Sequence, residues 1–303
     1  MTALPLLAST DLAAPLAWHR GQPISGGQFI AEAQALAKQL PARGRPINLC
    51  QDRYHFALGL AAAWLRGQTC LLPPNALPET LRQVPAGEPA YLLSDDDAFA
   101  ASDLPNFQVQ RPSNLPTATS VPMMAADLLA VCLLTSGSTG APQPHAKRFG
   151  ALVANIRAEA HRLAEFLGRE NLTGLTVVAT VPAQHSYGLE SSVLLGLLGG
   201  AAFDSGRPFY PADIAAALAT VPRPRALVTT PFHLKTLLLA GVALPPADLL
   251  LSATAPLSPQ LAAQAEAAFG GPLVEIYGCT EAGQVASRRT TARSEERRVG
   301  KEC

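Results

Sequence analysis

The chain has 303 residues, 48% hydrophobic and 15% charged, and its 23 Lys plus Arg balance 23 Asp plus Glu. That length exceeds one usual domain and can bury a large core or two packed subdomains. A formal net charge of zero offers no basic surplus for nucleic acid or an anionic membrane, so neither is expected as the main partner.

The five cysteines, Cys50, Cys70, Cys132, Cys279 and Cys303, are scattered and form no C-x-x-C pair. They read as buried reduced thiols of a cytosolic protein rather than a zinc site or a disulfide framework. The apolar stretch at residues 4–8 has no basic residue before it and makes a poor signal peptide. Other apolar runs, such as residues 193–202, are too short or too rich in glycine for a membrane span.

In chain order, Phe29, Ala33, Leu36 and Leu40 recur at helical spacing and stop at Pro41 and Gly44. Residues 46–50 form a short buried strand, 56–65 an Ala- and Leu-rich helix ended by Gly67, and 69–72 a strand stopped by Pro73-Pro74. A helix at 78–84 and a strand at 90–93 follow. Ser94-Asp95-Asp96-Asp97 closes that strand and reads as a solvated turn rather than a metal cluster, since no His or Cys is near in sequence. Residues 100–124 hold Pro105, Pro112, Pro116 and Pro122 with little periodicity and read as a surface connection.

An apolar strand at 128–134 then runs into Thr135-Ser136-Gly137-Ser138-Thr139-Gly140. Glycines let backbone N–H groups turn toward an anion, and the hydroxyls add donors, so this loop suits phosphate, although an ordinary Gly/Ser turn has the same composition. Residues 149–167 read as a long amphipathic helix. Beyond it, strands are expected at 175–181, 201–203, 226–230, 248–252 and 273–277, and helices at 191–198, 211–218 and 232–240. Ser258 as N-cap with Pro259 at the first position opens one more helix, ended at Gly270-Gly271. The alternation predicts an α/β fold with doubly wound, mostly parallel sheets and flanking helices. Ligands of such sheets bind at the carboxyl ends of strands. The loops around Ser138, His185, Thr254 and Thr280 therefore form the candidate crevice.

Four blocks along the chain resemble the adenylate-forming superfamily of acyl- and aryl-CoA synthetases, luciferases and peptide-synthetase adenylation domains. The signature T-S-G-S-T-G-x-P-K is matched from Thr135 to Pro142. The stretch from Pro182 to Gly188 is similar to the second block, Ser252-Ala253-Thr254-Ala255-Pro256-Leu257 to the third, and Tyr277-Gly278-Cys279-Thr280-Glu281 meets Y-G-x-T-E in full. The resemblance implies two stacked subdomains, here residues 1–125 and 126–291, with the ATP and acyl site in the second. It also implies a two-step ligase. A carboxylic acid is adenylated by ATP with Mg²⁺, and coenzyme A or the pantetheine of an acyl carrier protein then displaces AMP.

Carried over by position, Thr135, Ser136, Gly137, Ser138, Thr139 and Gly140 would cradle the β,γ-phosphates. Thr280 would bond the α-phosphate or the carboxylate, and Glu281 would hold the Mg²⁺. Tyr277 would lie against the adenine, with Thr254, Ala255 and Pro256 on its other side, and His185 would border the acyl pocket. Cys279 falls at a variable position and reads as packing, and His233 reads as structural. Gln143 replaces the Lys of the signature, so Lys147 or Arg148 is expected to supply the missing charge.

The family's downstream ribose-binding Asp, hinge and C-terminal Lys domain are not found after Glu281. Residues 292–303 are dense in charge and match no block, and they read as a foreign tail on a truncated gene. An incomplete chain of this kind is expected to bind nucleotide weakly and turn over slowly. The alternative is an inactive family member that only binds nucleotide or acyl ligand. Other classes lack their motifs: no Lys follows Gly140 in P-loop register, no G-x-G-x-x-G follows an early strand, and Ser136 spoils the only near match to G-x-S-x-G.

Overall fold

The computed structural model describes residues 2–84, 89–96, 103–112, 114–136 and 142–292. Two compact units divide the chain, Met1–Leu16 with Pro23–Ala154 and Ala17–Gln22 with Asn155–Cys303. The division thus falls at residues 154 and 155 rather than at the expected 125 and 126. The strand leading into the signature loop accordingly belongs to the first unit.

The elements are β1 (Ala3–Pro5), β2 (Pro15–His19), β3 (Gln22–Ser25), α1 (Gly26–Gln39), β4 (Arg45–Asn48), α2 (Arg53–Leu65), β5 (Cys70–Leu72), α3 (Pro78–Arg82), β6 (Ala90–Ser94), β7 (Asn106–Gln108), β8 (Met123–Ala125), β9 (Leu129–Ser136), β10 (Pro142–Arg148) and α4 (Phe149–Phe166). Helix α4 carries the chain into the second unit. There follow β11 (Thr176–Ala179), α5 (Ser186–Gly188), a π-helical turn (Leu189–Leu194), α6 (Leu195–Gly199), β12 (Ala202–Asp204), α7 (Pro211–Thr220), β13 (Arg225–Thr229), α8 (Pro231–Leu239), β14 (Leu249–Ser252), α9 (Pro259–Phe269), β15 (Leu273–Cys279) and β16 (Gly283–Arg289).

In the first unit the sheet order is β10-β9-β5-β4-β6-β7. Strands β9, β5, β4, β6 and β7 are parallel, and β10 closes the edge antiparallel to β9. Prolines 142 and 144 are tolerated there because an edge strand has a side that needs no ladder N–H. Ser25 caps α1 in a reciprocal capping box with Gln28, and Asp52 caps α2 through the amides of Tyr54 and His55. Trp64 of α2 is fully buried, stacks edge-on against Phe149, and donates its indole N–H to the Ala130 carbonyl at 2.9 Å. Ile47, Leu71, Leu92 and Leu134 form a core on this sheet.

In the second unit β15, β14, β13, β11, β12 and β2 run parallel in that order, and β16 pairs antiparallel with β15 at the edge. Val178, Leu227 and Leu250 pack against Ile214, Leu218, Leu234, Ala262 and Phe269 of the covering helices. Ser258 caps α9, Pro259 takes its first position, and Gly270 ends it at φ +85°.

The mixed sheets and flanking helices agree with the expected α/β class, but β1, β2, β3 and β10 fall where no strand is expected. The connection at 100–124 contains β7 and most of β8, and β16 extends the sheet beyond the last expected strand. Among the described residues no helix is long and apolar enough to cross a membrane.

Candidate active site

In the second unit the parallel strands end in register. Ala179 stands beside Val228, Thr229 beside Ser252, and Ser252 beside Glu275. The segments leaving β11, β13 and β14 therefore emerge along one edge of the sheet, and β15 continues past that edge through residues 276–279 as a hairpin arm with β16. The expected loops holding His185 and Thr254 leave at this edge, and Tyr277 to Glu281 lie on the hairpin arm that projects from the same end of the sheet.

His185 is exposed, in extended backbone (φ −90°, ψ 147°) just before α5. The loop that carries it is set by Gly188. A Cβ there would lie 1.9 Å from the Pro182 carbonyl oxygen, so only glycine lets the helix turn under the strand end.

After β14 the chain passes through Thr254 at φ +78°, a left-handed conformation rarely adopted by a β-branched residue. Thr254, Ala255 and Pro256 are exposed, while Ala253 and Leu257 are buried and anchor both ends of the segment. Just below it the Ser252 hydroxyl is buried without a hydrogen-bond partner.

Strands β15 and β16 form a hairpin whose turn is Thr280, Glu281 and Ala282. Gly283 follows at φ +78°, the left-handed position that closes a three-residue hairpin loop. A Cβ on Gly278 would meet the Gly283 carbonyl oxygen at 2.4 Å, so the hairpin closes only with glycine there. Tyr277, 72% exposed, and Glu281 both face solvent, and Thr280 is half-buried. Cys279, expected to pack, is exposed, whereas Cys50, Cys70 and Cys132 are buried free thiols as expected.

In the first unit Thr135, next to last in β9, pairs opposite Gln143, and its hydroxyl lies 3.1 Å from His145 Nε2 on the neighbouring strand. Gly137, Ser138, Thr139 and Gly140 fall outside the described residues, as does the side chain of Ser136. Lys147 pairs opposite Val131, five residues along β10 from Pro142, which is about 17 Å of strand. Arg148 donates to the Asp127 carbonyl at 2.7 Å. The Asp95 carboxylate, read as part of a solvated turn, instead accepts the Gln51 and Asp52 amides at 2.8 Å each and contacts His55 at 3.3 Å. Burial raises its pKa, but His55 and these two amides outweigh burial and hold it below the ordinary value. It anchors the start of α2, and among the described residues no cluster suits a metal ion on its own; Asp97 lies outside them.

Sequence reading missed several residues behind these loops. His233 Nδ1 lies 3.0 Å from the Thr230 hydroxyl and 3.3 Å from that of Thr180, and its Nε2 is buried without a partner. Burial and then the Arg207 charge lower its pKa, so a neutral ring faces the strand ends. Glu159, on α4, is 7% exposed, and neither carboxylate oxygen has a hydrogen-bond partner. Burial and the Glu190 charge raise its pKa to about 7, against the pull of the Gln284 and Ser191 side chains. The signal available was weak, because Glu159 and Glu190 interrupt otherwise helical stretches like any surface residue.

The chain matches the AMP-binding enzyme family over residues 47–302. It is 36% identical over 155 residues to a 4-coumarate–CoA ligase of Rhodobacter capsulatus, covering 51% of this chain and 38% of that one. Its fold is similar to ATP-bound MatB from Rhodopseudomonas palustris, with TM-score 0.73 and 19% identity over 93% of this chain and 60% of MatB. It is also similar to the o-succinylbenzoate coenzyme A synthetase MenE from Bacillus subtilis in complex with AMP, with TM-score 0.76 and 18% identity over 95% and 62% of the two chains. The chain thus spans less than two thirds of the length of each of these relatives.

Proposed function

The chain belongs to the AMP-binding enzyme family, and from that premise we propose that it supplies the nucleotide and acid site of an AMP-forming acid–CoA ligase. The alignment of the β11, β13 and β14 strand ends, with the β15–β16 hairpin projecting from the same end of the sheet, carries the reading, because these segments bear an aromatic face, hydroxyls and a carboxylate. Exposed Tyr277 offers its ring to a purine, and the left-handed Thr254 backbone with Ala255 and Pro256 borders the same end of the sheet. Thr280 presents a hydroxyl for the α-phosphate or the substrate carboxylate. His185 borders the acid, and neutral His233 adds an orphaned ring nitrogen as a hydrogen-bond group.

Glu281 is the residue that would hold Mg²⁺. A single exposed carboxylate fits this ion, which usually binds one or two carboxylates together with substrate phosphates. When bound, the ion neutralises phosphate charge that would otherwise repel an attacking carboxylate. In the first unit we assign the phosphate contacts to Thr135, Ser136, Gly137, Ser138, Thr139 and Gly140. Gln143 and His145 share a strand face nearer that loop than Lys147 does. The substrates proposed are ATP, a small carboxylic acid and coenzyme A, with an acyl carrier protein as the alternative acceptor.

Calorimetric titration with ATP and Mg²⁺ tests the reading. Tyr277→Ala and Thr280→Ala should each weaken binding at least about tenfold, which corresponds to about 1.4 kcal/mol. Binding left unchanged by both substitutions, or absent from the unmodified chain, refutes it. Pyrophosphate release against aryl, medium-chain and long-chain acids then identifies the acid.

A further inference from the structure

Glu190 is 2% exposed on the π-helical turn, among the fully buried Leu189, Val193, Leu194 and Leu195. A carboxylate in such a layer is costly unless its oxygens are hydrogen-bonded. Its two oxygens are divided between two loops of the site. Oε1 accepts the Ser186 hydroxyl at 2.9 Å, next to His185. Oε2 accepts the Gln284 backbone N–H at 3.2 Å, just past the turn that holds Thr280 and Glu281.

The Gln284 end is held more widely than by this one bond. Asn155 of α4 donates to the Gln284 carbonyl at 3.1 Å, and the Gln284 side chain donates to Ser191 Oγ at 2.8 Å. A Cβ on Gly283 would stand 3.4 Å from both Glu190 oxygens, so the carboxylate lies flat beneath the glycine that closes the turn. An edge hairpin needs no such internal anchoring to complete its ladder. π-Helical turns often occur at functional sites, and here the turn projects Glu190 between the two loops.

We propose that Glu190 is a positioning residue that locks the Thr280–Glu281 turn to the His185 loop, fixing the acid-facing and phosphate-facing groups relative to one another. The proposal rests on the functional reading above for its consequence, but not for the lock itself. Small misplacements of reacting groups cost large factors in rate, which is what a rigid link between the two loops prevents.

Hydrogen–deuterium exchange and ATP titration on the whole chain test it together. In Glu190→Ala, exchange in peptides covering residues 277–285 and 183–189 should rise at least about tenfold, with β13 and β14 unchanged. Nucleotide affinity should fall at least about tenfold. Glu190→Gln should stay within about threefold in both readouts, because a carboxamide oxygen still accepts from Gln284 and its NH₂ donates to Ser186. Should Glu190→Ala not fold, Ser186→Ala decides, with faster exchange expected in residues 183–189 alone. Unchanged exchange in these variants, or equal damage from Ala and Gln at position 190, overturns the proposal. If the unmodified chain binds no nucleotide, the functional reading fails while the exchange data still decide the lock.

Discussion

Replacing Glu159 by Gln should make the second unit more stable at pH 8 and leave it nearly unchanged at pH 4.5. The carboxyl is buried on α4 with neither oxygen hydrogen-bonded, and burial raises its pKa to about 7 from an ordinary 4.5. Below about pH 4.5 the group is protonated in both folded and unfolded chains and adds no pH dependence. Between 4.5 and about 7 the folded chain keeps a proton that the unfolded chain releases, so stability falls as pH rises. Above about pH 7 the whole contribution, roughly 3 kcal/mol, is lost. The carboxamide of the variant has no such proton to lose. Urea denaturation at pH 4.5, 6 and 8 measures the effect. Both chains should carry Trp64→Phe, so that Trp18 of β2 alone reports the second unit. A difference between Glu159→Gln and its parent that is the same at all three pH values would refute the argument, since a pH-independent change is one of packing.

Other substitutions probe the local backbone and the charge near the signature loop. Thr254→Gly should raise stability by up to about 1 kcal/mol in thermal unfolding, since the left-handed backbone costs a β-branched residue about 1–2 kcal/mol and glycine returns part of that as unfolded-state entropy; a loss of stability would show that Thr254 makes a compensating contact. Gly188→Ala should destabilise the second unit by at least about 3 kcal/mol, because its methyl group collides with the Pro182 carbonyl, and a normal melting curve would contradict this. Lys147→Ala should change ATP affinity by less than about twofold, as its register opposite Val131 sets it far along β10, and a tenfold loss would return it to the phosphate site.

Most parallel strands, β2 and β7 excepted, were legible because each is a short apolar run ending in Gly, Pro or hydroxyl residues, as at Leu249–Ser252. The antiparallel additions were not. Strand β10 begins with two prolines among polar residues, which on a central strand would argue against strand. Strand β16 places Arg288 and Arg289 at its exposed end, where they pair with Glu275 at 2.7 Å and Glu266 at 2.9 Å, so it lacks an apolar run. The helix expected at 191–198 is real, but its π-helical turn leaves no compositional trace.

The site divides in the same way. Of the proposed site residues, Thr254, Tyr277, Thr280 and Glu281 are nominated by sequence because each sits in a short contiguous block. Glu190 and Asn155 are not, since they meet Gln284 from 94 and 129 residues away and only the folded chain brings them together. His233 reads as structural from sequence alone. Its alignment with the ends of β11 and β13 appears only once the register is known.

The central claim is that one sheet edge of the second unit holds the nucleotide, and photolabelling with 8-azido-ATP followed by peptide mass spectrometry tests it most directly. The account predicts label that free ATP competes away, located in residues 252–258 or 275–281. Competed label confined to other parts of the second unit, or no competed label in that unit at all, would contradict it.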